Sequence, residues 1–341
     1  MSMYPLDQGL WGPIVRITSL RDELSTRVNL ELVSGYRGQR RGELARYAFS
    51  GRLRGLAGVY VESSTFLPAE ADIAFLALAR SLGIPVLTYI RDAYQLFPEY
   101  YPITSLRRRV AAQAFLPAFR ALAAVSSAVA FPSRGLAEVV LGSAVDAVII
   151  PPGAPPPVAV PRRADARRLL FVGNGTLEAQ GARRLIAAVG IARDRGVDVE
   201  LTIVSRPGEA PPPPHPEWLS VVRAEGSAIT ALLPDIVATV IPRPRSRYND
   251  LALPVKLFDY LALGRPLLVT DCTEQAAIVA GAGAGLIVSD DEASLADGVA
   301  RMLSADADQL DRWSDLARVA AVQHAWHVRA TTILETLGIP A

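Results

Sequence analysis

Short apolar runs alternate along the chain with longer segments whose apolar residues recur at helical spacing. In the first half this pattern predicts a helix over 69–83 and strands at 58–62, 85–90, 128–133 and 147–153. The alternation restarts after a proline-rich segment and predicts strands at 168–173, 199–205, 220–222, 237–242, 266–271 and 285–289. Strands that alternate with helices in this way predict an α/β protein with two doubly wound parallel sheets.

The proline-rich segment at 151–164 predicts a stiff linker between two domains. We therefore expect an N-terminal domain over 1–153, a linker at 154–166, a second domain over 167–320 and a C-terminal helical segment at 321–341. The first strand is expected to be truncated, with an apolar extension upstream, because few apolar residues precede the first glycines. Four prolines at 211–214 predict a surface loop between the second and third strands of the second domain.

Composition narrows the class of protein. The chain has 341 residues and a formal net charge of +1, so no global field attracts nucleic acid. Half of the residues are hydrophobic, yet no apolar run reaches the roughly 20 residues of a membrane span. The single cysteine, Cys272, cannot form an internal disulfide, and no leader sequence is recognisable, so we expect a cytoplasmic protein. The histidines lack ligand spacing, so no metal is expected.

The segment 105–125 groups arginines beside an apolar face. An ordinary helix at the domain surface has this pattern, and so does a helix in peripheral contact with the inner face of the plasma membrane. Both interpretations stay open at this point.

The only lysine of the chain is Lys256, since every other basic residue is an arginine. It lies in LPVKLFDYLALGRP, in the first turn of a helix predicted to begin at Pro254. A cation there opposes the helix dipole unless an anion also binds, which favours a phosphate site over an ordinary surface lysine. Asp259, three residues on, faces the same side and can accept hydrogen bonds from hydroxyl groups. A nucleoside diphosphate carries both a phosphate group for Lys256 and hydroxyl groups for Asp259.

Two glycine turns have the composition of phosphate cradles. Gly9 and Gly12 precede a helix predicted to begin at Pro13, and Gly173 and Gly175 flank Asn174 after the first strand of the second domain. Glycine lets backbone N–H groups approach phosphate oxygens closely. Neither turn is a dinucleotide fingerprint, and the chain contains no P-loop pattern, which argues against NAD and ATP enzymes.

Charged residues also follow two predicted strands at the carboxyl edge of each sheet, where open α/β sheets bind ligands. Arg243, Arg245 and Arg247 follow the strand at 237–242, and either clamp phosphate or form a solvated basic loop. In the first domain, Arg91 and Asp92 follow the strand at 85–90. Asp92 is either a catalytic group near the reacting sugar or a partner of Arg91 or helix cap.

An earlier edge position in the first domain, Glu62 to Thr65, is a weaker candidate for contact with an acceptor.

Three segments, LLFVGNGTLEAQGARRLIAAV, PVKLFDYLALGRPLLVTD and GAGLIVSDDEASLADGVARML, resemble the nucleotide-binding domain of family 4 glycosyltransferases. The resemblance implies a GT-B fold, in which two Rossmann-like doubly wound parallel-sheet domains face a central cleft. It implies sugar transfer from a nucleotide diphosphate sugar donor, with retention of configuration and no required cofactor, as in bacterial polysaccharide biosynthesis. The acceptor would be a glycan, a lipid-linked sugar or a small molecule. In that family the residue matching Asp259 usually binds the ribose, the helix start matching Lys256 approaches the diphosphate, and the helix with Trp326 returns to the first domain.

The chain departs from the family pattern at several positions. Asn174 and Gln180 replace a basic pair, Leu251 stands where an acid is usual, and Arg91 precedes Asp92 where many relatives have histidine. Two alternatives therefore stay open: a catalytically degenerate nucleotide-sugar-binding protein, and a nucleotide-sugar epimerase or hydrolase of the same fold. For a transferase, we predict Asp92 and Lys256 as the catalytic residues.

Overall fold

The computed structural model describes residues 1–4, 11–63, 67–143 and 146–340. The chain forms two compact units, one made of Met1–Gly153 with Trp326–Ala341 and the other of Ala154–Ala325. Each unit contains a six-stranded sheet in the described residues, and every neighbouring pair of strands is parallel. The predicted α/β class is confirmed.

The first unit begins with alternating strands and helices. Its elements are β1 (Ser2–Tyr4), α1 (Trp11–Ser25), β2 (Leu32–Ser34), α2 (Arg37–Phe49), β3 (Val59–Glu62), α3 (Glu70–Ser81), β4 (Val86–Tyr89), α4 (Leu106–Ala124), β5 (Ala128–Phe131), α5 (Arg134–Leu141) and β6 (Val148–Ile149). The strand order is β2-β1-β3-β4-β5-β6. All four residues of β3 and of β4 are buried, as expected for strands covered on both faces.

The second unit repeats the alternation with a different strand order. Its elements are β7 (Arg168–Val172), α6 (Ala182–Asp194), β8 (Glu200–Val204), β9 (Leu219–Val222), α7 (Ser227–Thr230), β10 (Ile236–Ile241), α8 (Val255–Ala262), β11 (Leu267–Thr270), α9 (Thr273–Ala282), β12 (Gly285–Val288), α10 (Glu292–Ser304) and α11 (Ala307–Gln323). The order β12-β11-β10-β7-β8-β9 reverses direction between β7 and β10. Ligands of such sheets bind outside the carboxyl ends of the strands at this switch point.

Helices α6 and α10 cover the sheet of the second unit with buried aliphatic side chains, among them Leu185, Val189, Leu295 and Val299. Each such side chain contributes about 1.5–3 kcal/mol when fully buried. Gly298 lets α10 approach closely, because a Cβ atom there would lie 2.8 Å from Leu268 Cδ1. This packing holds the sheet that positions the candidate site.

The last helix, α12 (Trp326–Thr336), belongs to the first unit. Trp326, Ala330 and Ile333 are buried in the same core cluster as Tyr4 and Leu20.

Three details differ from the expectations or extend them. Helix α1 begins at Trp11, two residues before Pro13, so Gly12 lies in its first turn and does not precede the helix. Strand β2 and helix α2 were not predicted. The prolines at 211–214 lie in the loop between β8 and β9, as predicted, with Pro211 buried and the other three exposed.

Candidate functional site

Two of the predicted phosphate sites meet at the switch point of the second unit. The turn that starts at Gly173 follows β7, and α8 follows β10 through the loop at 242–254. Because β7 and β10 are neighbours in the sheet, their carboxyl ends bring the turn and the start of α8 together.

Lys256 is the second residue of α8, and Pro254 is the N-cap and not the first helical residue. The half-buried Lys256 side chain reaches back across the switch point, where its Nζ donates to Gln180 Oε1 at 2.7 Å. The ammonium also lies 4.5 Å from the centre of the Phe171 ring. In the described part of the chain no carboxylate lies within 4.0 Å of this ammonium. The only lysine is therefore held by neutral groups.

Gln180 also belongs to the site, although in the sequence it stands out only as a departure from a family pattern. Its Oε1 accepts the Lys256 ammonium and also the backbone N–H of Asn174, at 3.2 Å. A Cβ atom at Gly173 would lie 2.4 Å from Gln180 Oε1 and 2.7 Å from Lys256 Nζ. Glycine is thus required at 173 for this contact. No sequence signal links Gln180 and Lys256, which are 76 positions apart.

The turn at 173–175 bonds its own backbone N–H groups within the protein. The N–H of Gly173 donates to Val204 O at 2.9 Å, and that of Gly175 donates to Glu209 O at 2.7 Å. Asn174 Oδ1 accepts from Thr176 and the next residue, which closes an Asx turn. Both glycine N–H groups are therefore already bonded within the protein, and contact of Gly173, Asn174 and Gly175 with a phosphate stays a prediction. The first turn of α8 keeps N–H groups without helical partners.

The three loop arginines lie in different environments. Arg243 is buried and donates to Ala252 O at 3.0 Å and to Asn249 Oδ1, so it holds the loop together. Arg245 pairs with Asp250 at 3.2 Å.

Arg245 also lies 3.7 Å from Asp271, and both Arg245 and Arg247 are exposed. Their contact with phosphate stays a prediction.

Burial shifts the pKa values of both charged residues on α8. The pKa of Lys256 falls to about 7, because burial disfavours the ammonium and the charge of Arg243 repels it, while Asp259 offsets part of the effect. Burial also raises the pKa of Asp259 to about 6, against the opposing attraction of Lys256. Opposed pKa shifts at a ligand-binding edge are typical of functional sites.

The remaining candidates lie in the first unit. Gly9 and Thr65 fall outside the described residues, and Gly12 is in the first turn of α1. Asp92 is buried after β4, with Oδ2 3.2 Å from Arg91 Nε. The pairing with Arg91 is one of the two roles left open by the sequence, and a catalytic role for Asp92 stays a prediction.

Glu62, at the end of β3, has a clear structural role. Its carboxylate pairs with the buried Arg16, whose guanidinium stacks on the Tyr89 ring at 3.7 Å and donates to the Tyr60 hydroxyl at 3.3 Å. These contacts tie α1 to β3 and β4.

Further features bear on metals and membranes. Among residues 1–4, 11–63, 67–143 and 146–340, no group of three or more His, Cys, Asp or Glu side chains is arranged to hold a metal ion. No helix in those residues has the length and apolar character needed to cross a membrane. Cys272 is buried, with Sγ 3.5 Å from Arg243 O.

Solved structures define the class of fold. A sucrose-phosphate synthase from Thermosynechococcus elongatus superimposes with a TM-score of 0.63 at 14% identity, over 98% of this chain and 98% of that chain. An alpha,alpha-trehalose-phosphate synthase (UDP-forming) from Burkholderia xenovorans, in complex with glucose-6-phosphate, gives 0.55 at 12% identity, over 89% and 79%. Such identities show the fold alone. The predicted GT-B architecture of two Rossmann-like domains is confirmed.

The sequence of the second unit carries a family match. Residues 166–305 match the family described as glycosyl transferases group 1. The matched segment covers about two fifths of the chain and includes Gly173, Lys256 and Asp259. No curated protein matches the chain significantly in sequence. The fold and the family match together support a glycosyltransferase.

Proposed function

We propose that this protein transfers a sugar from a nucleotide diphosphate sugar to an acceptor, with retention of the anomeric configuration. The main support is the position of Lys256, which lies at the helix start beside the β7/β10 switch point and has a neutral partner, Gln180, at 2.7 Å. A half-buried cation without a carboxylate is suited to an anionic ligand.

The proposed chemistry follows from where charge develops. Breaking the bond between the sugar and the diphosphate leaves negative charge on the phosphate oxygens, and preorganised donors there stabilise the transition state. Lys256 and the N–H groups in the first turn of α8 are those donors. Asp259, one turn further on, accepts hydrogen bonds from the ribose hydroxyls.

The substituted basic pair is compatible with activity, because Lys256 replaces the missing charge. Gln180 stands at a position where related transferases carry a basic residue, and Lys256 Nζ lies 2.7 Å from its side-chain oxygen. The positive charge therefore reaches the same place from another element. A bound diphosphate raises the pKa of Lys256 above about 7, so the residue is fully cationic in the donor complex.

The acceptor is proposed to be a glycan, a lipid-linked sugar or a small molecule. Asp92 is proposed to orient the acceptor or to stabilise the cationic sugar carbon. We further propose that the reaction occurs in the cytoplasm, or at the inner face of the plasma membrane, and requires no metal ion.

A thermal-shift screen with UDP, GDP, ADP and their sugar conjugates tests donor binding. A ligand present at a hundred times its dissociation constant adds about 2.7 kcal/mol of stability. We expect one nucleotide to raise the melting temperature, Lys256→Ala to abolish that shift, and Lys256→Arg to retain part of it. A shift that is unchanged in Lys256→Ala, or no shift with any nucleotide, would contradict the proposed donor site.

A second candidate is a nucleotide-sugar-binding protein that does not catalyse transfer. It is favoured by the internal bonding of Gly173, Gly175 and Arg243, which leaves fewer free donors at the switch point than the sequence suggests. Product analysis separates the candidates. Donor binding without any product supports the binding protein, a changed or hydrolysed donor in the absence of acceptor supports an epimerase or hydrolase, and a retained anomer on an added acceptor supports the transferase.

A further inference from the structure

A cavity of about 940 Å³ lies within the first unit, between the starts of α2 and α4. Its walls include the side chains of Tyr36, Arg37, Tyr101, Arg107 and Arg108. The cavity is formed by residues of the first unit alone, and it is separate in the chain from the Lys256 site.

The charges of this cavity all have one sign. Arg37, Arg107 and Arg108 line it, and none of the lining residues is acidic. In the described ranges none of these three arginines has a carboxylate within 4.0 Å, whereas Arg16 and Arg40 in the same unit are each paired. Three guanidinium groups around one space repel each other, and an anion between them would relieve that repulsion.

The arginines keep donors available. Arg37 uses one N–H group to bond Leu67 O, and Arg108 uses one to bond Pro102 O at 3.0 Å. Each guanidinium carries five N–H donors, so most remain for a ligand. The Arg107 side chain is exposed and makes no hydrogen bond or ion pair to the described residues.

The two helix starts add to the positive potential that the arginines create. Helices α2 and α4 have no acidic residue in their first turns. Gly38, in the first turn of α2, lines the cavity, and a Cβ atom there would meet nothing within 4 Å.

The remaining wall is mostly aromatic and apolar, with Gln95 and Ser105 as its polar members. The Arg108 guanidinium lies 5.1 Å from the centre of the Tyr101 ring, and Tyr36, Leu67 and Val110 also line the cavity. The volume is near the upper end of the roughly 300–1,000 Å³ found for ligand pockets, which exceeds the size of a phosphate alone. A ligand that joins a phosphate to a sugar or to an apolar group would fill such a space.

We infer that this cavity binds the acceptor, and that the acceptor carries a phosphate or diphosphate ester. This inference rests on the proposed function, because an acceptor exists only for a transferase. A soluble sugar phosphate and a lipid-borne phosphate share the recognised group, and exposed Ile103 and Leu106 near the arginines leave both sources open to test.

The test compares arginine variants of the full-length protein in a Lys256→Ala background, which removes the predicted phosphate site of the second unit. Arg37→Ala and Arg107→Ala are the test variants. Arg109→Ala is the matched control, since Arg109 is exposed on the same helix as Arg107 and does not line the cavity. The probes are glucose 6-phosphate, measured by titration calorimetry, and undecaprenyl phosphate in phosphatidylcholine vesicles, measured by co-sedimentation.

We expect one probe to bind both test variants at least about tenfold more weakly than it binds the Lys256→Ala protein, which is the scale of losing one charged hydrogen bond. The Arg109→Ala control should bind that probe as the Lys256→Ala protein does. Binding of glucose 6-phosphate identifies a soluble acceptor, and binding of the lipid vesicles but not of pure phosphatidylcholine identifies a lipid-borne one. Failure of both probes, equal loss in Arg109→Ala, or equal binding to pure phosphatidylcholine would overturn the inference.

The nucleotide screen on the protein with Lys256 intact keeps the two proposals distinguishable. Nucleotide binding without probe binding leaves the donor site standing and removes the acceptor cavity. Arginine-dependent probe binding without any nucleotide shift overturns the proposed function and, with it, the acceptor role of the cavity.

Discussion

The two units differ in how the cations near the carboxyl edges of their sheets are paired. In the first unit, Arg16 pairs with Glu62 and Arg91 with Asp92, so these two cations each have a carboxylate partner. In the second unit, Arg245 also pairs with a carboxylate, Asp250, but Lys256 is held by the neutral Gln180. The first arrangement satisfies charge within the protein, whereas the second leaves a charge for a ligand.

This contrast separates stability from function. A buried ion pair that loses one partner leaves an uncompensated charge, so the Arg16–Glu62 pair is needed for the fold once it is present. A half-buried lysine without a counter-charge costs folding free energy, and proteins tolerate such costs at sites that bind ligands. The lowered pKa of Lys256 expresses that cost.

The largest effect is expected on stability in the first unit. Glu62→Gln leaves the Arg16 charge buried without a carboxylate, so the free energy of unfolding should fall by about 3–5 kcal/mol. Urea denaturation measures this change. Glu99→Gln is the matched control, because Glu99 is exposed and its loss should have little effect.

The same denaturation experiment on Lys256→Met should show no loss of stability, since it removes a desolvated charge. If Glu62→Gln left the free energy of unfolding unchanged and Lys256→Met lowered it strongly, the proposed contrast between the two units would be wrong.

The next effect is on catalysis in the second unit. Lys256→Ala should lower turnover on the order of a hundredfold, because it removes one charged donor from the departing diphosphate. Steady-state assays with the donor identified by the nucleotide screen measure it, and an unchanged unfolding curve shows that the fold is intact. Near-normal turnover in Lys256→Ala would exclude the proposed role.

The sequence predicted the repeating architecture better than the start of the chain. Strands such as β7 and β10 are mostly apolar runs, and their alternation with helical segments predicts the two parallel sheets. Strand β2 has three residues, and Leu32 is 41% exposed, so neither length nor alternation marks it. Helix α2 was missed because only Arg40 and Leu44 are buried along it, which gives no apolar stripe.

The candidate site was predictable in its residue types but not in its contacts. Lys256 could be singled out because it is the only lysine, and Asp259 because it shares a helix face with it. The bond from Lys256 to Gln180 and the pairing of Arg16 with Glu62 join residues 76 and 46 positions apart, so only the tertiary structure reveals them. The same holds for the internal bonds of Gly173.

The smallest expected effect is a pH dependence of donor affinity, which should arise from Lys256 in the second unit. The pKa of Lys256 is about 7 without ligand, and a bound diphosphate favours the ammonium, so donor affinity should fall as pH rises above about 7. The fall approaches about tenfold per pH unit if only the cation binds. Calorimetry with the nucleotide sugar, whose phosphate charge is constant near neutrality, measures it. In Lys256→Arg the fall should vanish, because arginine stays protonated, and a fall of equal size in that variant would place the titrating group elsewhere.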